Sequence, residues 1–369
     1  LQLGVILYLH MLSLHHNLSK LVSYKTCADN MQARNDLIEH LKHTFKAYGL
    51  NISEYVQASF PSLYVSTTNK RKTKVLLQAH LDVVPARDEQ FDMSEDDEKL
   101  YGRGVFDMKF AAACYLQLIE DLKDELDKYD FGIMLTTDEE QGGENGVGAL
   151  LEHGYTADVC ILPDGGDNWQ IEESCNSVWI VKIKSRGNSA HGSRPWEGEN
   201  AITKLTDCID EIRKQFTNKK YENTLTVSQI NGGCALNQVP DQAWATLDMR
   251  FKNEANYIEL RPAIEKSIVK EGLLLETIAH VGATKLNTNN QFVKSFIDIA
   301  QTKAPVELGY CHSLGSSDAH YFESRGIPTI LVRPRGGGAH SDTEWVNKAD
   351  LDTYYELIKE YVTQNARIA

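Results

Sequence analysis

The run KVLLQAHLDVV (74–84) is apolar at almost every position, and that property restricts the fold more than any other feature of the chain. A strand wetted on one face alternates apolar and polar side chains. A run without alternation is covered on both faces, as a parallel strand is inside an α/β sheet. FGIMLTT (131–137) and DVCILPD (158–164) follow the same rule, and helical patterns separate them: MKFAAACYLQLIEDLKDEL (108–126) and a segment near 146–153. Upstream, two helices over 13–49 lead into the strand SLYVST (62–67), with Gly49 placed as the left-handed residue that closes a helix. Strands alternating with helices in this way predict an α/β fold with a mostly parallel sheet flanked by helices.

Near residue 174 the pattern changes. SVWIVKIKSRG, TLTVSQING and AWATLDMRFK alternate, and ENAITKLTDCIDEIRKQF and IELRPAIEKSIVKEG read as helices. The sequence strand, helix, two strands, helix, strand is an antiparallel α+β arrangement, so a small domain is expected as an insertion. The expected organisation is 1–174 as the first part of one domain, 175–286 as the insertion, and 287–369 as the second part. QFVKSFIDIAQTK (291–303), TILVRP (329–334) and a C-terminal helix (349–364) return to the first style. There is no internal repeat.

A chain of 369 residues is long enough for such a division, and its net charge of −14 argues against a nucleic-acid surface, which needs clustered Lys and Arg. The short basic NKRKTK (69–74) reads as a solvated turn. LQLGVILYLHML (1–12) is apolar but too short for a membrane span and has no basic flank, so a helix packed on the core is expected there. The seven cysteines (27, 114, 160, 175, 208, 234, 311) are scattered, odd in number and without a C-x-x-C pair. That usage fits reduced thiols in a cytoplasmic protein and argues against a thiolate zinc site.

Candidate chemistry collects at the C-terminal ends of the strands, where open α/β sheets bind ligands. LLQAHLD closes with His80 and Asp82, YGRGVFDMK presents Asp107 before a helix, LTTDEE delivers Glu139 and Glu140, ILPD ends in Asp164, and GGGAHSD places His340 after the last strand. Taken singly, each has an ordinary reading as a cap, a loop residue or a solvated turn. Gathered in one crevice, the carboxylates would repel one another and lose hydration unless cations lay between them. A histidine and carboxylate set without thiolates suits Zn²⁺ best, with Mn²⁺ or Co²⁺ as alternatives. The number of groups fits two ions with Asp107 as the bridge: His80 with Asp164, and His340 with one glutamate, would complete the two shells. Asp82, two residues from His80, is placed to accept the second imidazole N–H. The divergent aim of Glu139 and Glu140 is expected from the pleat of a strand end. Other chemistries are weaker. Neither YGRGVFD nor GGENGVG has the spacing of a dinucleotide fingerprint or a P-loop, and LGSSDAH lacks the elbow of a serine nucleophile.

The segments AHLDVVPA, YGRGVFDMKFAAA, TTDEEQGG, LPDGG, SAHGSRPWEGENAI, NQVPD, LDMRF, SSDAHYF and AHSDTEWV resemble, in order and spacing, the dinuclear zinc metallopeptidase family. That family includes aminoacylase, acetylornithine deacetylase, succinyl-diaminopimelate desuccinylase, glutamate carboxypeptidase and the carnosine-type dipeptidases. The resemblance implies a zinc-exopeptidase-like sheet with an inserted ferredoxin-like lid domain through which the chain forms a homodimer. It implies that His80 and Asp164 hold one metal, Glu140 and His340 the other, that Asp107 bridges, and that Asp82 orients His80. Glu139 would be the general base, and His191 would reach the partner subunit's site to stabilise an oxyanion. Asn237 and Arg250 match positions that hold a substrate carboxylate. Three departures stand out: Phe110 in place of a glycine after DMK and a changed lid entrance at SCNSVW (174–179), both expected to bear on the crevice or hinge, and GSSDA (315–319) in place of GGTDA.

The implied activity is hydrolysis of the amide bond of a small peptide or N-acyl amino acid carrying a free carboxylate. Aspartate at position 164 matches the aminopeptidase and dipeptidase branches, whereas glutamate marks the deacylase and carboxypeptidase branches. A deacylase of the acetylornithine or succinyl-diaminopimelate type is the alternative within hydrolases. A dinuclear phosphoesterase or a silent binding protein on the same fold is the alternative from another class.

Overall fold

The computed structural model describes residues 14–368, so the N-terminal segment 1–12 lies outside the described residues. Residues 14–22 are helical, and α1 (Met31–Ala47) follows, capped by the Asn30 side chain, which accepts from the Ala33 N–H. Its buried face is Leu37, Ile38, Leu41 and Phe45, and Gly49 beyond its end has φ +72°. β1 (Asn51–Gln57) and β2 (Phe60–Ser66) form a hairpin. Next come β3 (Lys72–His80), the short β4 (Ser94–Glu95) and β5 (Lys99–Tyr101), α2 (Lys109–Leu122), β6 (Phe131–Thr136) and β7 (Thr156–Ile161). The inserted segment contributes β8 (Ser177–Arg186), α3 (Ala201–Arg213), β9 (Thr224–Gly232), β10 (Gln242–Phe251), α4 (Glu254–Lys270) and β11 (Leu274–Val281). The chain then returns through α5 (Gln291–Lys303), β12 (Thr329–Ile330), β13 (Gly336–Gly337), β14 (Trp345–Asn347) and α6 (Lys348–Asn365).

These elements make two compact units. The first comprises the chain up to Glu173, Leu286–Cys311 and Ser317–Ala369; the second comprises Ser174–Lys285 with the short stretch His312–Ser316. That stretch groups with the insertion although the sequence places it in the returning part: the His312 ring bonds the side chains of Ser174 and Asn176.

In the first unit the central sheet runs β1-β2-β6-β3-β7-β12. β6, β3, β7 and β12 are mutually parallel, and β1 and β2 are antiparallel additions at one edge. β3 lies between β6 and β7, which is why its residues from Val75 to His80 are all buried. A second, antiparallel sheet of β13, β14, β5 and β4 packs the chain leading to Asp107 beside the chain leading from His340. Phe110 faces the core, fully buried and edge-on to Tyr354, so its bulk is absorbed by packing and does not shape the crevice.

The second unit is a four-stranded antiparallel sheet in the order β9-β10-β8-β11. With one helix after its first strand and one after its third, this is the β-α-β-β-α-β ferredoxin-like arrangement. Trp179, Val181 and Ile183 of β8 and Ala245, Leu247 and Met249 of β10 build its core with Leu205 and Ile209 of α3 and Ile264 and Ile268 of α4.

Three strands are shorter than their apolar runs. The 74–84 run ends its pairing at His80, the 158–164 run at Ile161, and the 329–334 run keeps only Thr329 and Ile330. The residues beyond are still buried, among them Leu81, Val83, Leu162, Leu331 and Val332. Apolarity there reports a covered loop rather than a ladder. β1 has the opposite character: NISEYVQ is an edge strand with mostly exposed side chains, so it carries no apolar pattern to betray it.

Candidate metal centre

All five residues expected to bind metal lie in the first unit, and the fold brings them together as two groups that share one member. His80, Asp107 and Asp164 each place one ligand atom within 4.8 Å of the others, and so do Asp107, Glu140 and His340. Asp107 is the hinge of the pair. Its Oδ1 is 3.4 Å from His80 Nε2, and its Oδ2 is 3.2 Å from His340 Nε2. His80 Nε2 is also 3.9 Å from Asp164 Oδ1, and His340 Nε2 is 3.0 Å from Glu140 Oε1.

The loops that carry these groups are fixed from behind. Glu344, 1% exposed, accepts through Oε1 from the N–H groups of Gly104, Phe106 and Asp107 at 2.9–3.0 Å, and its Oε2 takes 2.7 Å from Arg103. One buried carboxylate therefore folds the GRGVFD loop around itself. His80 is aimed by Asp82, through a different atom than expected. Its Nδ1 is 3.0 Å from the Asp82 backbone carbonyl and 3.6 Å from the Asp82 carboxylate. A carbonyl can only accept, so Nδ1 carries a proton, and in the neutral ring the Nε2 lone pair is left for a cation in the crevice. The Asp82 carboxylate instead accepts from the Glu140 N–H at 3.0 Å and so positions the glutamate turn.

Glu139 and Glu140 stand on a short helical turn, Glu139–Gln141, and not on a strand end. The turn, rather than a pleat, separates their side chains. Asp138 closes it by accepting from the Asn145 and Gly146 N–H groups at 2.8 and 2.9 Å. Gly143 has φ +68°, and a Cβ there would stand 1.8 Å from Asp318 Oδ1, so this position admits only glycine.

The electrostatics fit a cation site. Burial works against charge on His80, but Asp107, Asp164 and Asp82 outweigh it and hold its pKa well above the usual histidine range. Hydrogen bonding to Asp107 and Glu140 raises His340 to about 10. Burial would raise Asp107, yet His340 and His80 hold it well below the usual carboxylate range. Asp164, raised by burial to about 6, and Glu139, raised by burial and then by the Asp164 charge, are carboxyls short of positive charge. The geometry agrees, because His80 Nε2 is buried without a hydrogen-bond partner, as is one oxygen each of Asp82, Asp138 and Asp318. Donors limited to imidazole and carboxylate, with a carboxylate between two histidines, fit a pair of divalent cations.

The other predicted residues are in the second unit. His191 lies opposite Gln238 in a two-residue ladder, and the Gly192 N–H donates to the Asn237 carbonyl at 2.7 Å, which ties His191 and Asn237 into one knuckle. The Ser193 N–H donates to His191 Nδ1 at 3.2 Å. In the neutral ring the proton is therefore on the exposed Nε2. Arg250, on β10, is paired through Nε and Nη2 with Asp248 at 2.6 and 2.9 Å.

Sequence reasoning passed over Glu344, Asp138, Asp318 and Arg333. Arg333 left the clearest signal, a cation in the apolar run TILVRP, because a buried guanidinium requires partners.

Two histidine and carboxylate groups joined by a shared aspartate, drawn from the parallel-strand ends and the small antiparallel sheet, fit a metal-dependent hydrolase. Residues 76–364 match Peptidase family M20/M25/M40, and the chain belongs to that family. It is 26% identical over 338 residues to the succinyl-diaminopimelate desuccinylase of Corynebacterium glutamicum, covering 85% of this chain and 88% of that protein. It is 26% identical over 388 residues to the enzyme of the same name from Rickettsia canadensis, covering 94% and 98%. In fold it is similar to a Staphylococcus aureus tripeptidase (TM-score 0.80, 20% identity, 96% and 98% covered). It is also similar to human carnosine dipeptidase 1 (TM-score 0.71, 13% identity, 97% and 96% covered). Among the described residues no helix is long and apolar enough to cross a membrane.

The Glu344 interaction gives a direct prediction. Glu344→Ala leaves Arg103 buried without its partner and three loop N–H groups without an acceptor, which costs roughly 3–5 kcal/mol. Chemical unfolding is expected to show that loss together with reduced metal content, and unchanged stability would contradict the role.

Proposed function

We propose that the chain hydrolyses the amide bond of a small peptide or N-acyl amino acid with a free carboxylate, using two divalent cations, zinc by preference. The observation that carries the reading is the sharing of Asp107 between the two histidine and carboxylate groups, with Glu139 half-buried beside them and outside both. His80, Asp107 and Asp164 would hold one cation, and Asp107, Glu140 and His340 the other. When bound, the cations polarise the scissile carbonyl and ease deprotonation of the attacking water. Glu139 takes that proton and passes it to the leaving nitrogen, a task suited to a carboxylate whose pKa burial has raised. Its neighbour Glu140 is committed elsewhere, with its side chain against His340 and its N–H against Asp82.

His191, with its proton on an exposed Nε2, is suited to stabilise the oxyanion, and a second copy of the chain would deliver it. Asn237 and Arg250 would receive the substrate carboxylate. The pairing with Asp248 orients the guanidinium and leaves its Nη1 outside that pair.

Aspartate at position 164 favours a dipeptidase or exopeptidase. The desuccinylase names of the sequence relatives favour the second reading, an N-acyl amino acid deacylase. Amine release from dipeptides, tripeptides, N-acetyl and N-succinyl amino acids, with Zn²⁺, Mn²⁺ or Co²⁺ supplied, separates them. The expected result is fastest cleavage of short peptides and loss of rate when their carboxylate is amidated. Faster cleavage of N-succinyl substrates would make it a deacylase, and turnover of phosphate esters alone would reject both readings.

Two further outcomes test the roles. Glu139→Ala is expected to lower kcat by at least about 10³-fold with metal content nearly intact, whereas Glu140→Ala loses the cation of the Asp107, Glu140 and His340 group and keeps the other. Equal metal loss in both would reject the division. Glu139→Ala and His191→Ala, each inactive alone, are expected to regain about a quarter of wild-type activity when subunits are exchanged, since half the dimers are mixed and each holds one intact site. Absence of recovery despite exchange would place His191 outside a shared site.

A further inference from the structure

Among the described residues Arg333 is the one Lys or Arg paired with a carboxylate of the metal centre, and its surroundings give it a directional effect. It is 8% exposed and fixed from several sides. Its Nε donates to Asp167 Oδ1 at 2.7 Å, its Nη1 donates to the Phe106 carbonyl at 3.4 Å, and its Cζ lies 4.1 Å from the centroid of the Phe106 ring. Its backbone N–H donates to the Gly166 carbonyl at 3.1 Å, and its carbonyl accepts from the Trp169 N–H at 3.0 Å. The guanidinium therefore cannot swing away from the Asp164–Trp169 loop.

Asp167 offsets only part of its charge. The Asp167 side chain is 55% exposed, so water screens it, whereas Asp107, 3.8 Å from Arg333 Nη1, is 12% exposed. The Asp107 atom that faces Arg333 is Oδ1, the same oxygen that faces His80, while Oδ2 faces His340. A fixed positive charge thus competes for the oxygen on the His80 and Asp164 side and acts less strongly on the Glu140 and His340 side.

We propose that Arg333 is a positioning residue that makes the two cation positions unequal: acting through Asp107 Oδ1, it weakens the one formed by His80, Asp107 and Asp164. The inference rests on the cation positions proposed above. Arg333 and a cation sharing Asp107 Oδ1 would be like charges in a poorly screened site, and the difference is expected to be about tenfold in affinity. The same guanidinium also ties two loops together, and a purely structural role predicts the opposite sign, because losing the tie would loosen the site and weaken binding.

Zinc titration of the metal-free chain decides between them, in a Glu140→Ala background that leaves only the His80 position intact. Adding Arg333→Gln is expected to tighten zinc binding about tenfold, and Arg333→Lys, which keeps the charge, is expected to stay near the arginine value. Unchanged or weaker binding with glutamine overturns the inference. Asp167→Asn, at an exposed side chain that folding tolerates, is the second variant: by removing the partial counter-charge it is expected to weaken zinc binding at the same position, and tighter or unchanged binding overturns the inference even if the glutamine variant does not fold. If Glu140→Ala alone abolishes all zinc binding, both the cation assignment and this inference fall, whereas binding that ignores Arg333 rejects this inference alone.

Discussion

Repulsion among buried carboxylates is the constraint on which the site depends. Asp82, Asp138, Glu139 and Asp164 beyond β3, β6 and β7 converge with Asp107 after β5 and Asp318 before the short helix Ala319–Glu323, a concentration of like charge that a folded chain sustains only with compensation. Two histidines, one on each side of Asp107, supply part of it. The raised pKa values of His80 and His340 and the depressed one of Asp107 are the same fact seen from both partners. Divalent cations would satisfy the demand more fully, and their binding would displace the protons the histidines otherwise keep.

The rest of the first unit keeps this arrangement from relaxing. Glu344 gathers the Asp107 loop, Asp82 aims His80 with its carbonyl and the glutamate turn with its carboxylate, and Arg333 ties the Asp164 loop to Asp107. Each contact comes from a different chain segment, from the ends of parallel strands to the small antiparallel sheet. The chemistry is therefore a property of the fold and of no single motif. The second unit adds its own fixed geometry, a ferredoxin-like sheet with His191 and Asn237 locked in one knuckle.

Much of this is legible in the sequence because burial and chemistry leave strong marks. The apolar run ending at His80 announces a central parallel strand, and the acidic or histidine residue at each strand end announces the crevice. What escapes is whatever depends on pairing in space. β1 is polar because it is an edge, so no periodicity reveals it. The lengths of β3, β7 and β12 are overestimated because a covered loop is as apolar as a strand. Asp82 lies beside His80, but which of its atoms meets the ring is decided by backbone geometry past the strand end. Glu344 and Asp318 look like ordinary surface acids until the fold buries them, and the position of Gly143 against Asp318 follows only from that burial.

The central claim is that Asp107 is shared by two cations held by this chain's own residues. Anomalous X-ray diffraction at the zinc edge, on crystals grown with zinc, tests it most directly. The expected result is two peaks, one among His80, Asp107 and Asp164 and one among Asp107, Glu140 and His340. A single peak, or peaks that do not touch Asp107, would contradict it.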